Sequence, residues 1–520
     1  MKSKYIVFFV TLLVFLLFLK IDFRLTNELK CCNDDFDYFS HAVTIAEDFD
    51  LDYSNQLPDK SRFYRNNKNA PFGFIGTGLL SAPFIFIGNL LDKIIFFEGD
   101  KQFSLKYLTY SFSSIFYFLV SLNLIRKIQL FYEVKSNYLL YFIGSGVTYY
   151  LFERYSMTPI YEIFSILCII FFTQKFQNEP NKIIYSLILP IFLLLAILVR
   201  WTNFYVFLIP FIVILSTKNF KWSNILKLFN RYFVISIIFN FLLFMYLSFK
   251  VYGVVTFSPS YIYMIDEFDG LISTNIFQNF LTIIIEFFRD LLIVLFTQEF
   301  GLFWFSPIIF TAFLIVVYKV LHFKNLQSFT MYFLSAICFL QNFFIVSIWN
   351  STASSYGFRY LFSLVPLSLL IIFINKQIIN KRIVKNYLFY FSLFAFISTL
   401  FFDATPNTSL SLDPVLNSFG YEKVYSQPKY LSGVIESFFI FDSYFKIFGT
   451  SYLFLLSYKF FVDILKISYF EEFVINFQNA NSDLDNLITQ INQLNSFYFV
   501  FVLVIVIFAS LKIVNHLIKS

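Results

Sequence analysis

The sequence predicts an all-α fold: a polytopic transmembrane helix bundle of about 12 spans, with interfacial helices in long outer loops. Two observations carry this. Only 14% of the 520 residues are charged, against about a quarter in a soluble globular domain. Apolar stretches of roughly 15 to 20 residues also recur along the whole chain, each about as long as a bilayer core is thick. The mean hydropathy of +0.69 agrees. Lipid offers the backbone no hydrogen bonds, so such stretches must be helices. Phenylalanine is very abundant (80 residues) and takes the place of leucine, which weakens aromatic belts as boundary markers.

Taken in order, the spans fall near 5–21, 103–125, 137–152, 159–174, 183–199, 203–216, 232–251, 303–321, 329–348, 360–374, 386–402 and 497–514. The first opens Met1-Lys2-Ser3-Lys4 and lacks a small-residue cleavage site, so it reads as a retained signal anchor. Loops 126–136, 175–182, 217–231, 322–328 and 375–385 are basic and nearly free of acid, and they alternate with acidic or mixed loops. Lys and Arg mark cytoplasmic loops, which puts both termini in the cytoplasm and accounts for the net charge of +6 without nucleic acid. Two further apolar stretches must then not span. Segment 71–97 is interrupted by Pro71, Gly73, Gly76, Gly78 and Pro83, and reads as irregular. Segment 276–298 carries Glu286, Arg289 and Asp290 and reads as an interfacial helix.

Residues 1–402 form one transmembrane module, including the outer loop 22–102. Residues 403–496 form an outer, mostly helical segment, and 497–520 hold the final span and a cytoplasmic tail. Within the outer segment, Leu484, Leu487, Ile488, Ile491 and Leu494 share a helical face, and 434–465 has room for a helical hairpin. Cys168 and Cys338 fall inside spans and Cys31 adjoins Cys32, so neither a disulfide framework nor a zinc spacing emerges.

Chemistry-bearing residues gather at outer edges. Asp34 and Asp35 follow the first span, before a helix expected to start near Asp37. Paired carboxylates beside an apolar surface are candidates for general-base work, although an acidic pair also serves as an ordinary helix cap. Arg200 and Arg359 stand at outer ends of spans, where the charge rule disfavours them. Each needs a carboxylate, a lipid headgroup or an anionic ligand as partner. Glu153, Arg154 and Glu162 share another outer turn and are placed to pair among themselves.

In order, these segments resemble the GT-C superfamily of polytopic glycosyltransferases, nearest to the branch of protein O-mannosyltransferases and lipid A aminoarabinose transferases. The residues that carry the resemblance are Asp34-Asp35-Phe-Asp-Tyr38, Asn69-Ala-Pro71-Phe-Gly73, Arg200, Gly301-Leu302 to Pro307, and Gly357-Phe-Arg359-Tyr360-Leu361, within about residues 1–375. Asn69-Ala-Pro71 stands where the family has His-Pro-Pro, and Trp201 where it has proline near the arginine. The resemblance implies an inverting glycosyltransferase on the non-cytoplasmic side of a membrane, here the bacterial inner membrane. Its donor is a polyprenyl-phosphate sugar and its acceptor a glycan, lipid or protein. It implies Asp34 as catalytic base with Asp35 as understudy. It places Arg359, Arg200, Tyr38, Glu162 and Tyr360 on substrate, with no certain cofactor and a divalent metal left open. Two other classes compete: a transporter or flippase of lipid-linked saccharides, which would place charges in mid-span, and an O-antigen polymerase or ligase, which relies on large outer loops late in the chain.

Overall fold

Few charges and many long apolar runs leave helix as the main way to satisfy the backbone, and helix dominates the computed structural model. It describes residues 32–57, 64–95, 105–134, 138–152, 154–217, 220–259, 276–297, 301–348 and 356–401, with short pieces at 435, 438–439 and 459–467. The spans expected at 5–21 and 497–514, and nearly all of 403–496, lie outside the described residues.

The helices that matter here are α1 (Cys32–Val43), α2 (Gly76–Ile95), α3 (Leu105–Phe131), α4 (Leu139–Leu151), α5 (Pro159–Asn178), α6 (Ile183–Val199), α7 (Trp201–Leu215), α8 (Arg231–Tyr252), α9 (Ile276–Phe296), α10 (Pro307–Leu321), α11 (Leu326–Ile348), α12 (Arg359–Ile374) and α13 (Arg382–Phe401). Four of them, α3, α5, α8 and α11, are long and apolar enough to cross a membrane, while α4, α6, α7, α10 and α12 are apolar but shorter. Helix α5 is the most enclosed of the four, with 83% of its apolar window buried, and α8 the least, with 28%. On α8 the residues Ile235, Ile238, Phe239, Leu242, Tyr246 and Phe249 form an exposed apolar face. Asn230 caps its start by accepting from the Tyr232 and Phe233 amides, and Gly253 ends it in the left-handed conformation.

Side-chain contacts sort the helix ends into two groups. At one end Tyr132 meets Ser216 at 2.7 Å, Gln327 donates to the Leu215 carbonyl at 2.6 Å, and Lys376 reaches the Tyr132 carbonyl at 3.3 Å. This end gathers the turns that the sequence marks as basic. At the other end Tyr150 donates to the Tyr356 carbonyl at 2.9 Å and Tyr252 to the Gly73 carbonyl at 2.5 Å.

Two local expectations need correction. Segment 76–95 is not broken by its glycines: α2 runs continuously through Pro83. The glycines serve close packing instead. A Cβ on Gly76 would collide with the backbone of Leu198 and Val199, one on Gly78 with His41, and one on Gly88 with Thr109 and Lys106. Helix α1 also starts at Cys32, earlier than expected, so Asp34 and Asp35 lie in its first turn. Helix α9 runs unbroken over the stretch expected to be interfacial, and neither it nor α2 is among the four candidate spans.

One feature had no sequence warning. Helix α4 unwinds at Ile143–Val147, where Gly146 has φ 87°. Gly144 lets the Ser392 backbone of α13 approach, and Ser306 donates to the Ser145 carbonyl. Between α1 and α2, a two-residue hairpin pairs Tyr64–Arg65 with Lys68–Asn69 around Asn66 and Asn67, both at positive φ.

Replacing Gly76 by Ala should force α2 away from α6 and cost about 1–3 kcal/mol, as overpacking does. Thermal unfolding in detergent should show a clear drop in midpoint, with Leu226→Ala, at an exposed position, as an unaffected control.

Candidate active site

Five segments converge at the second end: α1, the turn 154–158 between α4 and α5, the start of α5, the junction of α6 with α7, and the start of α12. Their apolar faces are packed into the core, which leaves the polar residues at their ends to meet one another.

The first contact is Asp35 with Arg154. Nε of Arg154 lies 3.2 Å from Oδ2 of Asp35, and the two side chains are 2% and 1% exposed. Ser156 donates to the other carboxylate oxygen. Burial works against the Arg154 charge while Asp35 works for it. The balance raises its pKa above the ordinary arginine value, against a smaller opposing push from the Arg359 guanidinium. The Asp35 carboxylate is thus enclosed between a buried guanidinium and a hydroxyl. These contacts tie Asp35, expected as the second base, to the Arg154 turn and anchor α1 there. The side chain of Asp34 lies outside the described residues.

The second contact is Glu162 with Arg200, at 3.1 Å between Oε1 and Nη1, with exposures of 0% and 7%. Glu162 sits in the first turn of α5, and Arg200 immediately follows α6. The N-terminal dipole of α5 favours the Glu162 charge, while Arg200 stands between the C-terminus of α6 and the N-terminus of α7, whose dipoles act on it in opposite senses. Of the trio Glu153, Arg154 and Glu162, Glu162 pairs with Arg200 and Arg154 with Asp35 of α1, while Glu153 lies outside the described residues. Among the described residues, neither oxygen of Glu162 makes an aligned hydrogen bond, and Arg200 is its ion-pair partner.

Tyr360 joins the two arginines. The guanidinium carbon of Arg200 lies 4.4 Å from its ring centroid and that of Arg359 lies 5.4 Å away, both within cation–π range. Arg200 also reaches the Arg359 carbonyl at 3.5 Å, and Arg359 points Nη1 toward the sulfur of Met157 at 3.9 Å. Met157 belongs to the Arg154 turn, since its amide donates to the Arg154 carbonyl at 3.0 Å. Arg359 and Tyr360 are half-buried, so this stack forms the more accessible edge of a polar cluster whose floor is enclosed.

Of the residues selected from sequence, Asp35, Glu162, Arg200, Arg359 and Tyr360 thus belong to one connected cluster. Tyr38 is half-buried on α1 with its ring against Gly73, where a Cβ would lie 2.6 Å from its Cε1. Sequence reasoning missed Ser156 and Met157, and it did not foresee Asp35 as a partner of Arg154. Charge on a short outer turn was the available signal, and it does not say which distant helix arrives there. Among the described residues, no three His, Cys, Asp or Glu side chains come together as a metal site. Comparison with family models, curated proteins and solved structures gives no match for this chain.

Asp35→Asn should leave Arg154 buried beside a neutral amide and destabilise the protein by about 3–5 kcal/mol, as breaking a buried pair does. Pairing it with Arg154→Met should recover much of that loss. A double-mutant cycle on thermal unfolding measures the coupling, and additive effects would show that the two side chains do not interact.

Proposed function

We propose that this chain is an integral membrane glycosyltransferase of the GT-C type, built on about 12 spans. It moves a sugar from a polyprenyl-phosphate donor to an acceptor on the non-cytoplasmic face of the bacterial inner membrane. The observation that carries the reading is the convergence of the carboxylate-bearing helix α1 with Arg359, Tyr360 and Arg200 through the Arg154 turn. The cluster lies at the end of the bundle opposite the basic turns, on the side the charge rule assigns to the exterior.

Transfer from a lipid phosphate makes three demands on such a site. The leaving phosphate gathers negative charge as the glycosidic bond breaks, and a pre-placed cation lowers the barrier. Arg359 is suited to this: it is half-exposed and opens α12, so the helix N-terminus adds its own attraction for an anion. Arg200 lies against the same ring and is oriented by Glu162. The acceptor hydroxyl must lose a proton, and a carboxylate of α1 takes it. With Asp35 engaged by Arg154 and Ser156, that role falls to Asp34. Attack at the anomeric carbon from the face opposite the phosphate then inverts the configuration. The sugar and the acceptor are identified by envelope glycan and lipid analysis with and without the protein.

The test uses purified full-length protein in lipid nanodiscs with polyprenyl-phosphate sugars. Asp34→Asn should lower turnover by roughly 10²–10⁴-fold, as loss of a general base does, and leave donor binding largely intact. Retention of full transfer by Asp34→Asn would show that the base is misassigned. Arg359→Met should cost about 10²–10³-fold in turnover, the usual loss for one charge-stabilising donor. If no lipid-linked sugar is transferred under any condition, the reading fails.

A further inference from the structure

Helix α1 is gripped on a second side by groups with no part in the cluster above. His41 is fully buried. Its Nε2 lies 2.9 Å from the Gly73 carbonyl and its Nδ1 lies 2.6 Å from the Tyr53 hydroxyl. A carbonyl only accepts, so Nε2 carries the proton. Burial pushes the imidazole down to about 4, so the ring is neutral at ordinary pH and Nδ1 accepts from Tyr53. Tyr53 is also fully buried. The Gly73 carbonyl takes a second donor, the Tyr252 hydroxyl from the end of α8, at 2.5 Å. One turn before His41, Asp37 accepts from the Phe72 amide at 3.2 Å. Two side chains of α1 thus hold the N–H of one residue and the C=O of the next.

Steric contacts close the same joint. The Tyr38 ring covers Gly73, and Gly78 is bare so that the backbone of α1 at His41 can approach. His41 lies six residues from Asp35, a rise of about 9 Å along the helix. Asp35 is fixed by Arg154 and His41 by Gly73 and Tyr53, so α1 is held near both ends against different parts of the fold.

We propose that His41 is a positioning residue: as a two-sided hydrogen-bonding link between Tyr53 and the Gly73 carbonyl, it fixes the rotation of α1 and so the placement of its carboxylates toward Arg359. This rests on the transferase reading above. His41 touches no reacting group. It acts through the helix that presents Asp34.

The experiment compares His41→Phe, His41→Gln and Tyr53→Phe in full-length protein in nanodiscs, by hydrogen exchange and by transfer kinetics. His41→Phe keeps the bulk and loses both links. Amides of 35–43 and 72–78 should exchange at least about tenfold faster, while those of α5 and α12 stay unchanged. Turnover should fall about tenfold or more with donor KM changed by less than about threefold, the pattern of lost alignment. His41→Gln, which retains a donor for Gly73, should recover much of the turnover. Should His41→Phe not fold, Tyr53→Phe carries the same expectation with a smaller effect, since it removes one of the two links. Unchanged exchange around α1, or an equal loss of turnover with no recovery by Gln, overturns the proposal. Faster exchange in the variants with no transfer by the unmodified protein instead overturns the transferase reading and, with it, the catalytic half of the proposal.

Discussion

Asp35 and Arg154 meet almost wholly out of solvent, and the arrangement of the polar end of the bundle depends on their meeting. Each charge alone would be costly to bury, by several kcal/mol even after relaxation. Together they tolerate burial only when the geometry is close, so the pair selects one register of α1 against the turn between α4 and α5. An apolar contact at the same place would permit sliding. This turn also carries Met157, and through it Arg359, so the choice of register reaches the start of α12.

The Glu162–Arg200 pair works by a different balance. Glu162 sits at the start of α5, where the helix dipole matches its charge, while Arg200 sits at the junction of α6 with α7. Arg200 then lies over Tyr360 and shares the ring with Arg359. Two like charges near one aromatic face are each partly offset, one by Glu162 beneath it and both by the ring. The result is a rigid cationic edge over an enclosed floor.

Much of this was legible in the sequence. Hydropathy located α3 to α8 and α10 to α13 within a few residues, because length and apolar content are local properties that a bilayer-sized helix needs. The arginines and Glu162 stood out because charge at the end of an apolar run demands a partner. The identity of that partner was not legible. Arg154 is close in sequence to Glu162, yet it pairs with Asp35, far away along the chain. The role of glycine was misread for a related reason. Gly76 and Gly78 look like helix breakers in a local window, and only the arrival of α6 and α1 shows that they make room. The unwinding of α4 at Gly144 and Gly146 follows the same rule: its cause is the backbone of α13, which no nearby residue announces.

Gly76 packs directly on the main chain of Leu198 and Val199, the two residues that precede Arg200. Side chains between helices act as a compliant layer that absorbs small displacements by changing rotamer. Where two main chains touch there is no such cushion. A displacement of the start of α2 therefore bears directly on the main chain that leads into Arg200, just past the end of α6. The absence of one methyl group is what couples the two backbones so closely.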